Sequence, residues 1–177
     1  MSPESGPLRI GALGRLSTRV ALRQFQAARG DPPDAGFLRD MEMLQHKDLD
    51  LSVKAGGLLA FDGLILSAGL NPIAASPGAP LSLDALNAPG PVILAALGAA
   101  LLSAAAAFCV RAIMIGEDVD TSGLEGDRQA QIQRILAACC VALDAQASRL
   151  RRASELTYAG GGVIAAGFVW SLLDKWI

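Results

Sequence analysis

Three long apolar blocks constrain this chain more than any other feature. The first runs from about Val53 to residue 73, "VKAGGLLAFDGLILSAGLNPI". The second, 92–115, reads "VILAALGAALLSAAAAFCVRAIMI" and is interrupted only by Arg111. The third, 158–177, reads "YAGGGVIAAGFVWSLLDKWI". Crossing a bilayer takes ~20 predominantly apolar residues rising ~1.5 Å each. The first two blocks meet that length. The third is uncharged only from Ala159 to Leu173, roughly 22 Å of helix, so it spans with the help of its flanks. Tyr158 and Trp176 at its two ends suit the aromatic belts of a membrane helix. With 52% hydrophobic and 18% charged residues and nothing that suggests strands, the expectation is an all-α integral membrane bundle of three spans.

The segments between the blocks set an orientation. Before the first span lie Arg9, Arg15, Arg19, Arg23, Arg29, Arg39, Lys47 and Lys54. The connection before the second span is rich in Pro and Gly and holds a single charge, Asp84. The stretch 117–156 carries Arg128, Arg134, Arg149, Arg151 and Arg152. Basic, empty, basic is the positive-inside pattern of a cytoplasmic N-terminus, an outer loop over 74–91 and an outer C-terminus. The expected location is therefore a membrane crossed several times, with the N-terminus on the cytoplasmic side. No uninterrupted apolar stretch among the first thirty residues reads as a secretory signal.

Residues 1–36 form a separate N-terminal segment. Over 8–29 the periodicity is helical: Arg15, Arg19 and Arg23 fall four apart, and Leu13, Leu16, Val20 and Ala27 lie elsewhere on the wheel. Such a helix either lies on a membrane surface or packs on its own protein. "GDPPDAG" at 30–36 breaks it. A second helical pattern, with Phe37, Met41 and Leu44 on one face, opens the membrane domain 37–177 and runs into the first span. A long cytoplasmic helix is expected over about 122–156, with Ser122 and Glu125 spaced as a capping box. Its broad apolar face (Ile132, Ile135, Leu136, Cys139, Val141, Leu143, Leu150) would pack on 37–50 in a small helical bundle or pair with copies of itself.

Little in the sequence supports catalysis. The cysteines, Cys109, Cys139 and Cys140, are odd in number and lack CxxC spacing, and His46 is the single histidine. That excludes a zinc ribbon or a disulfide framework. "DVDTSGLEGDRQ" imitates the start of a calcium loop, but Gln129 stands where a bidentate Glu is needed and Glu125 where an apolar residue is needed. The glycines of 160–162 lie inside an apolar block with no preceding strand, so they are not a phosphate cradle. No cofactor, no metal and no nucleic-acid polymer are expected, and no enzyme activity.

Small residues four apart recur in the spans: Gly56/Ala60 and Gly63/Ser67 in the first, Ala96/Ala100 in the second, Gly161/Ala165 and Gly162/Ala166 in the third. They suit close helix packing, within one chain or in a homo-oligomer. Asp62 and Arg111 are the intramembrane charges, with Lys54 at the entry of the first span. A charge in hydrocarbon costs at least ~2.5–3.5 kcal/mol on insertion scales, so it needs a partner or water. With Lys54 and Gly116 at one interface, Asp62 lies roughly 12 Å deep and Arg111 roughly 7–8 Å deep. An Asp62–Arg111 pair is one expectation; the other has Arg111 reaching the interface alone while Asp62 is protonated or hydrogen-bonded to a neighbouring helix.

Lys54-Ala55, Leu58-Leu59, Asp62-Gly63 and Ile65-Leu66 resemble the first span of the Pycsar effector family of bacterial membrane proteins. That family typically reads Asp-x-Lys-Ala at the entry and Asn-Gly in mid-span; here Ser52 and Asp62 stand at the Asp and Asn positions. The resemblance covers 52–66 by motif and roughly 37–177 by layout. It implies a non-enzymatic antiphage effector that impairs the inner membrane when a cyclic pyrimidine nucleotide from a partner cyclase signals. The residues alone leave open a scaffolding membrane subunit, or a small channel or transporter component using Asp62.

Overall fold

A computed structural model describes residues 17–29, 33–74, 89–115 and 127–176 of the chain. Within them the protein is all-helical: α1 (Thr18–Arg29), α2 (Pro33–Ala74), α3 (Pro89–Met114) and α4 (Arg128–Trp176). Three of these, α2, α3 and α4, contain stretches long and apolar enough to cross a membrane, as expected for a multi-pass membrane protein. The capping box at Ser122 and the calcium-like loop fall almost wholly outside the described residues. The described part of α4 starts after Asp127, whose carbonyl accepts the N–H of Gln131.

Two helices are longer than a bilayer needs. With 42 and 49 residues, α2 and α4 extend roughly 63 and 74 Å. The cytoplasmic helix expected over 122–156 and the third span at 158–177 belong to one helix where they are described, because α4 passes through Leu156, Thr157 and Tyr158 unbroken. Hydropathy changes there, but no Pro or Gly interrupts the backbone. α2 begins at Pro33, where a first-turn proline has no helical N–H to lose.

α2 and α4 run parallel in one register, shown by contacts of Ser52 with Gln146, Asp62 with Thr157 and Gly69 with Ile164. α3 runs antiparallel to α4: Arg111 meets Arg149, Leu102 meets Gly160, and Pro91 meets Gly167. The packing follows steps of four and three residues, alternating throughout on α3 and with one repeated step of three, Cys140 to Leu143 to Gln146, on α4. On α3 the buried positions are Pro91, Ala95, Gly98, Leu102, Ala105, Cys109 and Ala112. On α4 they are Leu136, Cys140, Leu143, Gln146, Leu150, Ala153, Thr157, Gly160, Ile164 and Gly167. A repeat near 3.5 is the seam of helices packed at a shallow left-handed angle.

α3 ends level with Arg149 of α4, and α1 begins level with Asp144. Each half of the molecule is therefore a three-helix bundle built on the same two through-going helices. α3 completes the membrane half and α1 completes the basic half. Of the two alternatives for the basic N-terminal helix, α1 packs on protein: Thr18 and Leu22 are buried, and Leu22 joins a core with Leu44, Leu136, Cys140 and Leu143. Phe37 and Met41 pack against that core as expected. Val141, expected on the apolar face of α4, is 70% exposed, and Cys140 is the more deeply buried of the adjacent cysteines.

Candidate functional site

The intramembrane charges are handled separately rather than as one set. Asp62 is buried at 1% exposure, and its Oδ1 accepts a 2.7 Å hydrogen bond from Thr157 Oγ1 on α4. Its Oδ2 is buried with no hydrogen-bond partner among the described residues. Arg111 is exposed on the outer side of α3, so the expected Asp62–Arg111 pair does not form. The structure follows the other expectation, Asp62 hydrogen-bonded to a neighbouring helix. The geometric reason lies in the seam: Asp62 and Thr157 occupy facing buried positions, while Arg111 sits one residue before the buried Ala112 and points away. Lys54 pairs within its own helix, with Asp50 at 2.6 Å, both side chains more than half exposed. Such an exposed pair contributes little to stability.

The small residues also divide into two sets. Gly56, Gly63 and Gly162 face open space, and Ala60, Ser67, Ala165 and Ala166 are exposed. Gly161 has one ordinary contact, with Ile65 of α2. A close backbone approach is instead made between Gly98 of α3 and Gly160 of α4. A Cβ on Gly98 would stand 2.9 Å from the Gly160 carbonyl oxygen and 2.4 Å from Ile164 Cγ1. A Cβ on Gly160 would stand 3.0 Å from the Gly98 carbonyl oxygen. Only glycine lets these two backbones meet. Neither residue was among the four-apart pairs, because those pairs track one helix's own surface and not the alternating seam.

Where the two halves meet, α4 holds the ends of two other helices. Asp144 Oδ1 accepts the N–H of Thr18 at 2.9 Å and the Thr18 hydroxyl, and Oδ2 accepts from Ser17 Oγ at 2.7 Å. Lys47 of α2 donates to Thr18 Oγ1 at 2.6 Å, completing a chain from ammonium to hydroxyl to carboxylate. Ser17 begins α1, its carbonyl taking the N–H groups of Val20 and Ala21. A carboxylate here satisfies the orphan donors of a helix start and the positive end of its dipole. Burial pushes the Asp144 carboxyl up, but the hydrogen bonds from Thr18 and Ser17 and the charge of Lys47 outweigh it. The carboxyl is held below its usual range.

Five residues further along α4, Arg149 Nη1 donates to the carbonyl of Arg111 at 3.1 Å, one of the last four carbonyls of α3. The acid caps an N-terminus and the arginine caps a C-terminus, each with the sign its helix end calls for. Between these two levels, buried Gln146 donates to Ser52 Oγ at 3.4 Å. Further from the membrane half, Gln26 of α1 donates to buried Asp40 of α2 at 2.7 Å.

Sequence reasoning had not singled out Thr18, Lys47, Asp144 or Thr157. The signals were a Ser-Thr pair ahead of a helical pattern, and a lone acid and a lone threonine on the apolar face of α4. Burial pushes the thiols of Cys139 and Cys140 up, keeping them protonated near neutral pH as small apolar groups. His46 is exposed, and its Nδ1 donates to the Glu42 carbonyl at 2.8 Å. No group of three metal-ligating side chains occurs among the described residues. Comparison with protein families, with characterised proteins and with solved structures gives no match to this chain.

Proposed function

We propose that this chain is a non-enzymatic effector of the bacterial inner membrane, with the basic half as its receiving end and the membrane half as its acting end. One observation carries the reading: α2 and α4 run from one half into the other without a break. A change in how α1 sits against them can be carried into the spans by two continuous helices. The distribution of Lys and Arg, with none in the connection 74–91, supports placing the basic half and N-terminus in the cytoplasm and the C-terminus outside. The Lys54-Ala55 to Ile65-Leu66 motif supports the antiphage reading, with a cyclic pyrimidine nucleotide as the signal.

The outward row Gly56, Ala60, Gly63 and Ser67 leaves α2 a smooth face that another helix can approach closely, which supports a homo-oligomer in the bilayer. The same row supports the second reading, a scaffolding subunit that assembles without compromising the membrane. Induced expression in a bacterial host, with and without a cyclase making cyclic pyrimidine nucleotides, separates the two. The effector reading expects cyclase-dependent entry of a membrane-impermeant dye and growth arrest. A chain that inserts and assembles with no dye entry in either condition is a scaffold.

A further inference from the structure

We propose that Arg111, Arg149 and Arg152 form a binding site for the headgroup of an anionic phospholipid, on the flank shared by α3 and α4. Arg111 is the one charge inside the second apolar block, and its side chain is exposed on the outside of α3. A charge facing lipid at that depth is costly unless it reaches a headgroup or water. Asp62 does not serve it, because its carboxyl is turned into the seam toward Thr157. Arg149 comes to the same place from α4, its Nη1 donating to the Arg111 carbonyl at 3.1 Å. Arg152, exposed, stands one turn along α4 from Arg149. Two helices thus bring three arginines together within about one turn.

Their level is the edge of the membrane half. α2 and α4 run parallel in register, and Lys54 lies as many residues before Asp62 as Arg149 lies before Thr157. Lys54 stands at the entry of the first span, so Arg149 stands at the matching boundary of α4. Past that boundary α4 is uncharged from Leu156 to Leu173, and α3 is uncharged from Pro89 to Val110. Phospholipid headgroups begin where the hydrocarbon ends.

The other cations at this level are paired within their own helices. Lys54 meets Asp50 at 2.6 Å, and Arg151 meets Glu155 at 3.0 Å. Those pairs offset the charge on the outer face of α2 and on the Arg151 side of α4. The positive excess is left on the α3–α4 flank. Arginine suits it, since its planar fork matches phosphate oxygens two at a time. Arg149 has further N–H groups beyond the one given to α3. A basic recess between membrane helices on the cytoplasmic side is where anionic headgroups are taken. A bound headgroup would tie the end of α3 to α4. The orientation proposed above enters only in deciding which leaflet supplies the lipid.

The test is native mass spectrometry of the full-length protein in zwitterionic detergent, titrated with phosphatidylglycerol, phosphatidylcholine or inorganic phosphate. Phosphatidylglycerol is expected to bind saturably and to be retained in preference to phosphatidylcholine, and inorganic phosphate is expected not to displace it. Arg111→Gln and Arg152→Gln should each weaken phosphatidylglycerol binding by about fivefold, with the helical circular dichroism unchanged. Arg111→Lys, which keeps the charge but not the fork, should weaken it less than Arg111→Gln. Lys54→Gln removes a positive charge at the same level and should leave affinity as it was. Equal retention of the two lipids, or affinity indifferent to both Arg111 and Arg152, overturns the proposal. So does displacement by inorganic phosphate, or a loss for Lys54→Gln as large as for the arginines, which marks diffuse attraction and no site. If Arg111→Gln fails to fold, Arg152→Gln decides alone, its side chain being exposed. Neither membrane orientation nor dye entry is read, so this site and the effector reading fail independently.

Discussion

Asp144 on α4 takes the backbone N–H of Thr18 at 2.9 Å, a cap supplied across 126 residues of sequence. The start of α1 is therefore capped by a tertiary contact. It is held where a carboxylate from α4 and an ammonium from α2 converge on one hydroxyl.

Removing the carboxylate should loosen α1 selectively. Asp144→Ala should lower the stability of the α1 contact by about 1–2 kcal/mol, the usual worth of a helix cap. Hydrogen exchange over residues 18–29 should accelerate about 5- to 30-fold, while exchange across α3 and the membrane part of α4 stays unchanged. Asp144→Asn, which keeps an acceptor oxygen, should have a smaller effect.

The same contact predicts a response to acid. The Asp144 carboxyl is held below its usual range in the folded protein. Its unfolded value is near 3.9. A depressed folded value contributes stability that is complete above about pH 5 and is lost as pH falls below 4. Protection of α1 from exchange should thus be flat from about pH 7 to 5 and decline below 4. Asp144→Asn should abolish the Asp144 share of that decline.

In the membrane half, coupling should connect Asp62 with Thr157 and not with Arg111. A double-mutant cycle of Asp62→Asn with Arg111→Gln should be additive. A cycle of Asp62→Leu with Thr157→Val should give a coupling of about 0.6–1.7 kcal/mol, the measured range for hydrogen bonds between membrane helices. Thr157→Val alone should be the most damaging single change, because it leaves buried Asp62 with neither oxygen bonded. Unfolding in mixed micelles measures all of these.

The glycines give opposite predictions at positions that look alike in sequence. Gly98→Ala places a methyl group against the Gly160 carbonyl and Ile164, and should destabilise by about 1–3 kcal/mol. Gly162→Ala meets nothing within 4 Å and should be neutral to stabilising by about 1 kcal/mol, the helix-propensity gain. Thermal unfolding in detergent separates them.

The spans were legible because hydropathy needs no partner: a block long enough to cross a bilayer is visible by itself. What joined the blocks was less so. Leu156 and Tyr158 mark a change in polarity, and polarity says nothing about whether the backbone continues. Asp62 was legible as a group needing a partner, and a hydrogen bond to a neighbouring helix was one of the two expectations; that Thr157 supplies it was not legible. The seam Pro91, Ala95, Gly98, Leu102 was hidden by alanine abundance, which makes small pairs four apart common on every face. The docking of α1 had the weakest sequence signal, since Thr18, Lys47 and Asp144 come from three distant segments and meet only in the folded bundle.

Dye release from proteoliposomes tests the central claim most directly, with the purified full-length protein reconstituted and a cyclic pyrimidine nucleotide added on the side of the basic half. The effector account predicts release that depends on the nucleotide and on protein density in the bilayer. Liposomes that stay sealed at saturating nucleotide, with the protein inserted and folded, would contradict it.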